Sequence, residues 1–334
     1  MTQQKKTKKS GGGLVRTVLF APIGLAAGWI AYSRFGLDKR LPLPDAISAE
    51  RQVFLSQASG WLSYYVDKQA SGRPLVLIHS VNAAASAYEM LPLFQRYRAQ
   101  RPVYALDLPG YGFSNRLPRP YSPQLFQDVV VEFLETQVGE PVDAIALSLG
   151  AEFTARAALA RPDLFHSLVL ISPSGLKGSG GASRSQRAGD SGASNALYPL
   201  LSFPLWGRAL FDLIATRRSL DYYVKGSFVG KPFAGLTDYG YYTAHQPGAE
   251  NVPLYFLSGQ LFTRAVAEQV YEQVQTPTLV IYDRDQFVRF DGLPAVLEHN
   301  PAWRAVRIAP TLGLPHFEKP DETTAAIDAF WQTL

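Results

Sequence analysis

The sequence predicts an open α/β sheet, mostly parallel, with helices on both faces. Three observations predict it: six short, nearly continuous apolar runs, helical stretches that alternate with them, and a hairpin pattern ahead of the first run. Continuous rather than alternating apolar runs suit strands covered on both sides.

Taken in order, the chain opens with a lysine-rich segment, Gly11-Gly12-Gly13, and an uncharged run from Thr17 to Ser33 between Arg16 and Arg34. As a helix that run would be roughly 25 Å long, at the short end of what spans a bilayer. Pro22, Gly24 and Gly28 are tolerated in membrane helices, and Trp29 and Tyr32 sit where interfacial aromatics lie. A single membrane anchor at about 17–33 within a basic tail 1–40 is therefore expected. The denser basic residues ahead of it point to a cytoplasmic N-terminus. A signal peptide and a helix lying on the body are the alternatives. Residues 41–50, beginning Leu-Pro-Leu-Pro-Asp, form a linker because proline opposes helix.

Val53–Gln57 and Trp61–Asp67 make the hairpin, joined at Ala58-Ser59-Gly60. The strand candidates that follow are Pro74–Ile78, Val103–Leu106, Val142–Leu147, Leu168–Ile171, Thr278–Tyr282 and Ala305–Ile308. Helices are expected over Ser86–Gln100, Gln124–Val138 and Ala151–Ala160, and from Pro320-Asp321 toward Trp331. The alternation breaks once, between Leu176 and Gln275. That stretch opens with Gly178–Ser194, whose largest apolar residue is alanine, so a flexible loop is expected there. Residues 196–262 then hold 14 aromatics, enough to pack over something apolar.

Composition narrows the chemistry. The 334 residues are long enough for a sizeable core, and the absence of cysteine excludes disulfides, thiolate metal sites and a cysteine nucleophile. The formal charge of +4 is misleading as a whole. Residues 1–40 carry eight basic side chains against Asp38 alone, while the remainder carries 24 basic and 27 acidic ones. A mildly acidic body offers no clustered surface for phosphates, so no nucleic-acid partner is expected. Gly110-Tyr111-Gly112-Phe113 lacks the third glycine of a dinucleotide fingerprint, and no phosphate loop, zinc pair or calcium loop occurs. No cofactor or metal is implied.

The informative string is Ile145-Ala146-Leu147-Ser148-Leu149-Gly150-Ala151: an apolar strand, then small-x-Ser-x-small, then a helix. Small residues flank the serine because a sharp strand-to-helix turn brings backbones together. A capping serine is the plainer alternative. A serine hydroxyl needs a base, and the base an orienting acid. Of the five histidines, His166 and His299 read as exposed structural residues, and His245 lies in the aromatic insertion. His316 follows the last strand, and Asp283 and Asp285 follow the one before. Loops at strand C-termini are where such sheets present chemistry. Ser148, Asp285 and His316 stand in the chain order Ser…Asp…His.

With the strings PLVLIHSVNAAASAYEM, YALDLPGYGFS, AIALSLGAEF, LVLISPSG, TPTLVIYDRDQFV and LPHFEKPDETTAAIDAFW, the chain resembles the α/β-hydrolase superfamily, of the lid-bearing type with a serine nucleophile, over roughly residues 50–334. The resemblance implies an eight-stranded, mostly parallel sheet with helices on both faces. The core would be 51–175 with 276–334, and a mostly helical lid would be inserted at 176–275. It implies Ser148 as nucleophile, His316 as base and Asp285 as acid, with Asp283 left as an exposed turn residue. The amides of Val81 and Leu149 would form the oxyanion hole, with Asn82 able to add a side-chain donor. His79 and Asp107 take structural positions. Three departures stand out: Ala146 and Ser80 in place of the family's glycines, and no glycine before Asp285. The implied activity is cleavage of a hydrophobic carboxylic ester through an acyl-enzyme, with no cofactor. A non-hydrolytic binding protein is the alternative from another class; acyl transfer or C–C bond hydrolysis would use the same residues.

Overall fold

A computed structural model of the chain describes residues 12–177 and 192–334, with side chains over 24–177 and 196–334. Its centre is a sheet of eight strands: β1 (Glu50–Ser56), β2 (Gly60–Asp67), β3 (Leu75–Ile78), β4 (Val103–Leu106), β5 (Val142–Leu147), β6 (Phe165–Ile171), β7 (Thr278–Arg284) and β8 (Trp303–Leu312). They lie in the order β1-β2-β4-β3-β5-β6-β7-β8. Only β1–β2 and β2–β4 are antiparallel; the other pairs run parallel. The hairpin lies at one edge, and β5 is near the middle.

Side chains alternate along each strand, so one sheet feeds two cores. Val76 and Ile78 of β3 and Tyr104 and Leu106 of β4 face the cluster closed by Phe126, Val130 and Phe133 of α3 (Pro123–Phe133) and Phe153 of α4 (Leu149–Ala160). Leu75, Leu77, Val103 and Ala105 face the opposite cluster. Leu93 and Phe94 of α2 (Leu91–Tyr97) and Ile327 and Phe330 of a helix at Pro320–Trp331 close it. Each fully buried side chain of this kind contributes about 1.5–3 kcal/mol over its exposed state.

The expected strands are all present, several of them longer than the apolar runs alone. β8 extends to Leu312, and β7 reaches Arg284, which corrects one residue. Asp283 is 6% exposed rather than an exposed turn residue, because it lies inside β7 facing β8. The expected helix over Ser86–Gln100 divides: Ser86 caps a 3-10 turn at Ala87–Met90, and Pro92 opens the α-helix that follows.

Helices at Gly192–Leu201, Gly207–Ile214, Arg217–Gly226, Leu236–Ala244 and Asn251–Ser258 fill the connection between β6 and β7. The loop expected over 178–194 falls outside the described residues at 178–191 and is already helix from Gly192. The N-terminal run forms α1 (Gly12–Phe35), longer than 17–33, with its side chains before Gly24 outside those described. Among the described residues no helix is long and apolar enough to cross a membrane, so the expected span is not found. The end of α1 docks on the body. Trp29 Nε1 donates to the Ala209 carbonyl (2.7 Å) and Ser33 Oγ to Asp212 (2.6 Å), with Lys39 3.2 Å from the same carboxylate.

Candidate active site

Ser148 sits between β5 and α4 with φ 52° and ψ −118°, a left-handed backbone that costs an L-residue about 1–3 kcal/mol. The strain is held by neighbours. Ser148 N donates to the Ile171 carbonyl (2.9 Å), and its own carbonyl accepts from Ala151 N and Ser174 N. Gly150 is required by close approach: a Cβ there would lie 2.2 Å from the His79 carbonyl oxygen. Ala146 is fully buried inside β5. The serine is therefore not a conventional cap, and no side-chain capping bond forms. Its helix offers the Leu149 amide in the first turn, where no intrahelical carbonyl takes it up.

The facing turn begins at His79, which is fully buried and satisfied at both ring nitrogens. Nδ1 lies 2.6 Å from the Ser80 carbonyl, and Nε2 accepts from Leu108 N at 2.9 Å. Burial lowers its pKa to about 4, so it is a neutral structural ring. Asp107 is likewise structural, accepting from Ala87 N and Phe113 N. After Ser80 come Val81, buried, and Asn82, whose Nδ2 donates to Ser80 Oγ (2.8 Å) and Glu89 Oε1 (2.9 Å). The second oxygen of Glu89 accepts from Ser80 N at 2.9 Å. Desolvation pushes the Glu89 carboxyl up, against the bonds from Ser80 and Asn82.

Asp285 Oδ1 accepts from Phe287 N (2.6 Å) and Val288 N (3.1 Å) in the turn after β7. Desolvation raises its pKa. Its other oxygen faces Gly313: a Cβ there would lie 2.7 Å from Oδ2. Asp283 is committed elsewhere, to Thr311 N and Arg307 Nε, and although burial pushes it up these bonds hold it below the usual carboxylate range. His316 is fully buried in the short helix Pro315–Glu318. Its Nε2 lies 2.8 Å from the Glu89 carbonyl oxygen, while Nδ1 has no partner. Burial lowers its pKa to about 4. Among the described residues no hydrogen bond joins Ser148 Oγ, His316 and Asp285 to one another.

The remaining histidines are peripheral. His166 pairs with Asp143, and His299 lies by Glu272. His245, 2% exposed, stacks on Tyr241 and bonds its carbonyl, so it packs inside the insertion. Sequence reasoning missed Glu89. An acidic residue in an apolar helical stretch just after the turn was the available signal. Among the described residues no group of acidic or histidine side chains is arranged to hold a metal.

An eight-stranded sheet of this order with a strained serine above β5 defines a class, and the sequence profile described as the alpha/beta hydrolase family matches residues 75–327. The chain belongs to that family. Among its curated relatives, the (E)-2-((N-methylformamido)methylene)succinate hydrolase of Acinetobacter baylyi is 33% identical over 104 residues, covering 31% of this chain and 39% of that protein. Ethanol acetyltransferase 1 of Cyberlindnera jadinii is 32% identical over 105 residues, 31% of each chain. The matched segment thus spans less than two-fifths of either relative. Among solved structures, a bacterial membrane phospholipase A aligns over 96% of this chain and 95% of its own, with TM-score 0.67 and 18% identity, a likeness of fold. Esterases recur among the structures of the same fold.

Proposed function

We propose that the chain is a serine hydrolase of hydrophobic carboxylic esters, with Ser148 as nucleophile, His316 as base and Asp285 as acid. The observation that carries this reading is the strained backbone of Ser148 at the β5–α4 turn, with the Leu149 amide beside it and the turn that bears the Val81 amide opposite. Ser148 Oγ adds to the acyl carbon as its proton passes to His316 Nε2. The amides of Val81 and Leu149 take the oxyanion, and the alcohol leaves with the proton. Water then gives a proton to His316 as it adds to the acyl carbon, and that proton returns to Ser148 Oγ as the acyl–oxygen bond breaks and the acid is released. For this, His316 must release the Glu89 carbonyl to which Nε2–H donates and carry its proton on Nδ1, leaving Nε2 free to accept from the serine hydroxyl. The described helices between Gly192 and Ser258, and the connections that carry aromatics such as Phe228 and Phe233, supply the lid over an apolar acyl group.

Labelling with a fluorophosphonate tests the reading, since the reagent forms a Ser148 Oγ–P bond with loss of fluoride. One adduct on the folded chain, absent in Ser148→Ala, is expected. p-Nitrophenyl esters should be cleaved faster as the acyl chain lengthens from acetate. A chain that takes up no label and cleaves no ester sinks the proposal.

A specific observation favours a second reading, a non-hydrolytic member of the fold. Asp285 makes no hydrogen bond to an imidazole, and His316 Nε2 bonds the Glu89 carbonyl and not the serine. Folded chain without adduct selects this reading. Formation of an ethyl ester when ethanol is added during turnover would select acyl transfer, the activity named for the Cyberlindnera relative.

A further inference from the structure

Glu89 touches the site through both its side chain and its backbone. Its carboxylate accepts from Ser80 N (2.9 Å) and Asn82 Nδ2 (2.9 Å), while its carbonyl accepts from His316 Nε2 (2.8 Å). Asn82 extends the network: its Oδ1 accepts from Ala84 N (2.7 Å), and its backbone carbonyl accepts from Tyr111 Oη (2.8 Å). Val81, the candidate oxyanion donor, lies between the two residues that the Glu89 carboxylate grips.

We infer that Glu89 is a positioning residue of this site, its carboxylate fixing the Ser80–Ala84 turn so that the Val81 amide faces the reaction centre. The network also accounts for serine at position 80. Ser80 Oγ accepts the second Asn82 bond, and with the Glu89 carboxylate it saturates the donors of that amide. A glycine at 80 would leave one of them unmade. Reacting groups misplaced by about 1 Å cost about 10²-fold in rate, so a turn held only by backbone would not serve.

The kinetic part rests on the hydrolase reading; the structural part does not. Glu89→Gln keeps size but turns an amide NH2 toward the NH2 of Asn82. Asn82→Asp alone sets two carboxylates against each other. Combined, Glu89→Gln with Asn82→Asp restores donor against acceptor with net charge kept. Each single variant should lower kcat on a p-nitrophenyl ester by about 10- to 100-fold with KM changed less than about threefold. The double variant should recover most of the loss. Folded single variants with unchanged kcat, or a double variant no better than the singles, overturn the inference.

Amide exchange gives a readout independent of turnover. In Glu89→Ala, exchange at Ser80 N should accelerate at least about tenfold while Leu77 and Ala105 in the sheet stay protected. Unchanged protection at Ser80 overturns the inference even if the chain is inert toward esters. Lost protection without ester cleavage by the unaltered chain rejects the hydrolase reading alone.

Discussion

At the scale of single residues, close contact decides more than residue type. Gly150 passes over the His79 carbonyl with no room for a Cβ. Gly150→Ala should therefore lower stability by about 1–3 kcal/mol in urea titration and slow any fluorophosphonate labelling, because the serine turn must open. Equal stability would show that the two backbones separate freely. His316 carries a second expectation. With its pKa lowered to about 4 by burial, the ring is neutral and able to take a proton throughout the neutral range. The acid limb of kcat/KM should then lie near pH 4 instead of near 6.5, and a limb at 6.5 would mean that the titrating base is not the ring in its buried setting. The identities of the serine, the structural His79 and the structural Asp107 were legible because local strings carry them. The direction of His316 was not. Whether a ring four residues past β8 points at Ser148 or at the Glu89 carbonyl depends on α-helical phase across a loop, which residue types do not encode.

At the scale of elements, what joins the parts is buried and polar. Glu152 of α4, one turn past Ser148, accepts from Ser174 Oγ (3.1 Å) and from Thr263 N beyond Asn251–Ser258. It therefore ties α4 to the end of the insertion. Desolvation raises its pKa to about 7 against the bonds from Thr263 and Ser174. The sign follows: between the ordinary carboxyl value near 4.3 and about 7 the folded chain holds a proton that the unfolded chain has lost. This group therefore takes stability away as pH rises through that window, and its effect is level above it. Glu152→Gln should cancel that slope, so its stability difference from the unaltered chain should shift in its favour between pH 5 and pH 8. Parallel denaturation curves would refute this. The strands were readable from apolar runs because both sheet faces are covered. Their ends were not: β7 reaches Arg284 through Asp283, a residue whose burial is bought by Thr311 N and Arg307 rather than by any apolar pattern.

At the scale of the whole molecule, the chain's two least predictable regions hold each other. Asp212, fully buried in Gly207–Ile214, accepts from Ser33 Oγ (2.6 Å) and Arg208 Nε (2.7 Å) and pairs with Lys39. Breaking a buried pair by removing one partner costs about 3–5 kcal/mol. Asp212→Ala should free α1, and trypsin should then cut at Arg34, Lys39 and Arg40 several-fold faster while cleavage in the sheet is unchanged. Unaltered cutting would show that Trp29 alone suffices. The uncharged run from Thr17 to Ser33 is legible as a helix, but its apolar character points to a bilayer and not to a docking partner. Its docking depends on an aspartate nearly 180 residues away, a pairing that no local pattern announces.

That clasp makes the N-terminus a handle on the insertion. A tug or a bulky fusion applied before residue 33 is passed through Asp212 to the helices between β6 and β7, whereas the same load on Leu334 meets the last helix, which is seated on the sheet through Ile327 and Phe330. Beads coupled through opposite ends of the chain should therefore differ in how readily ligands reach Ser148, although the polypeptide on them is identical.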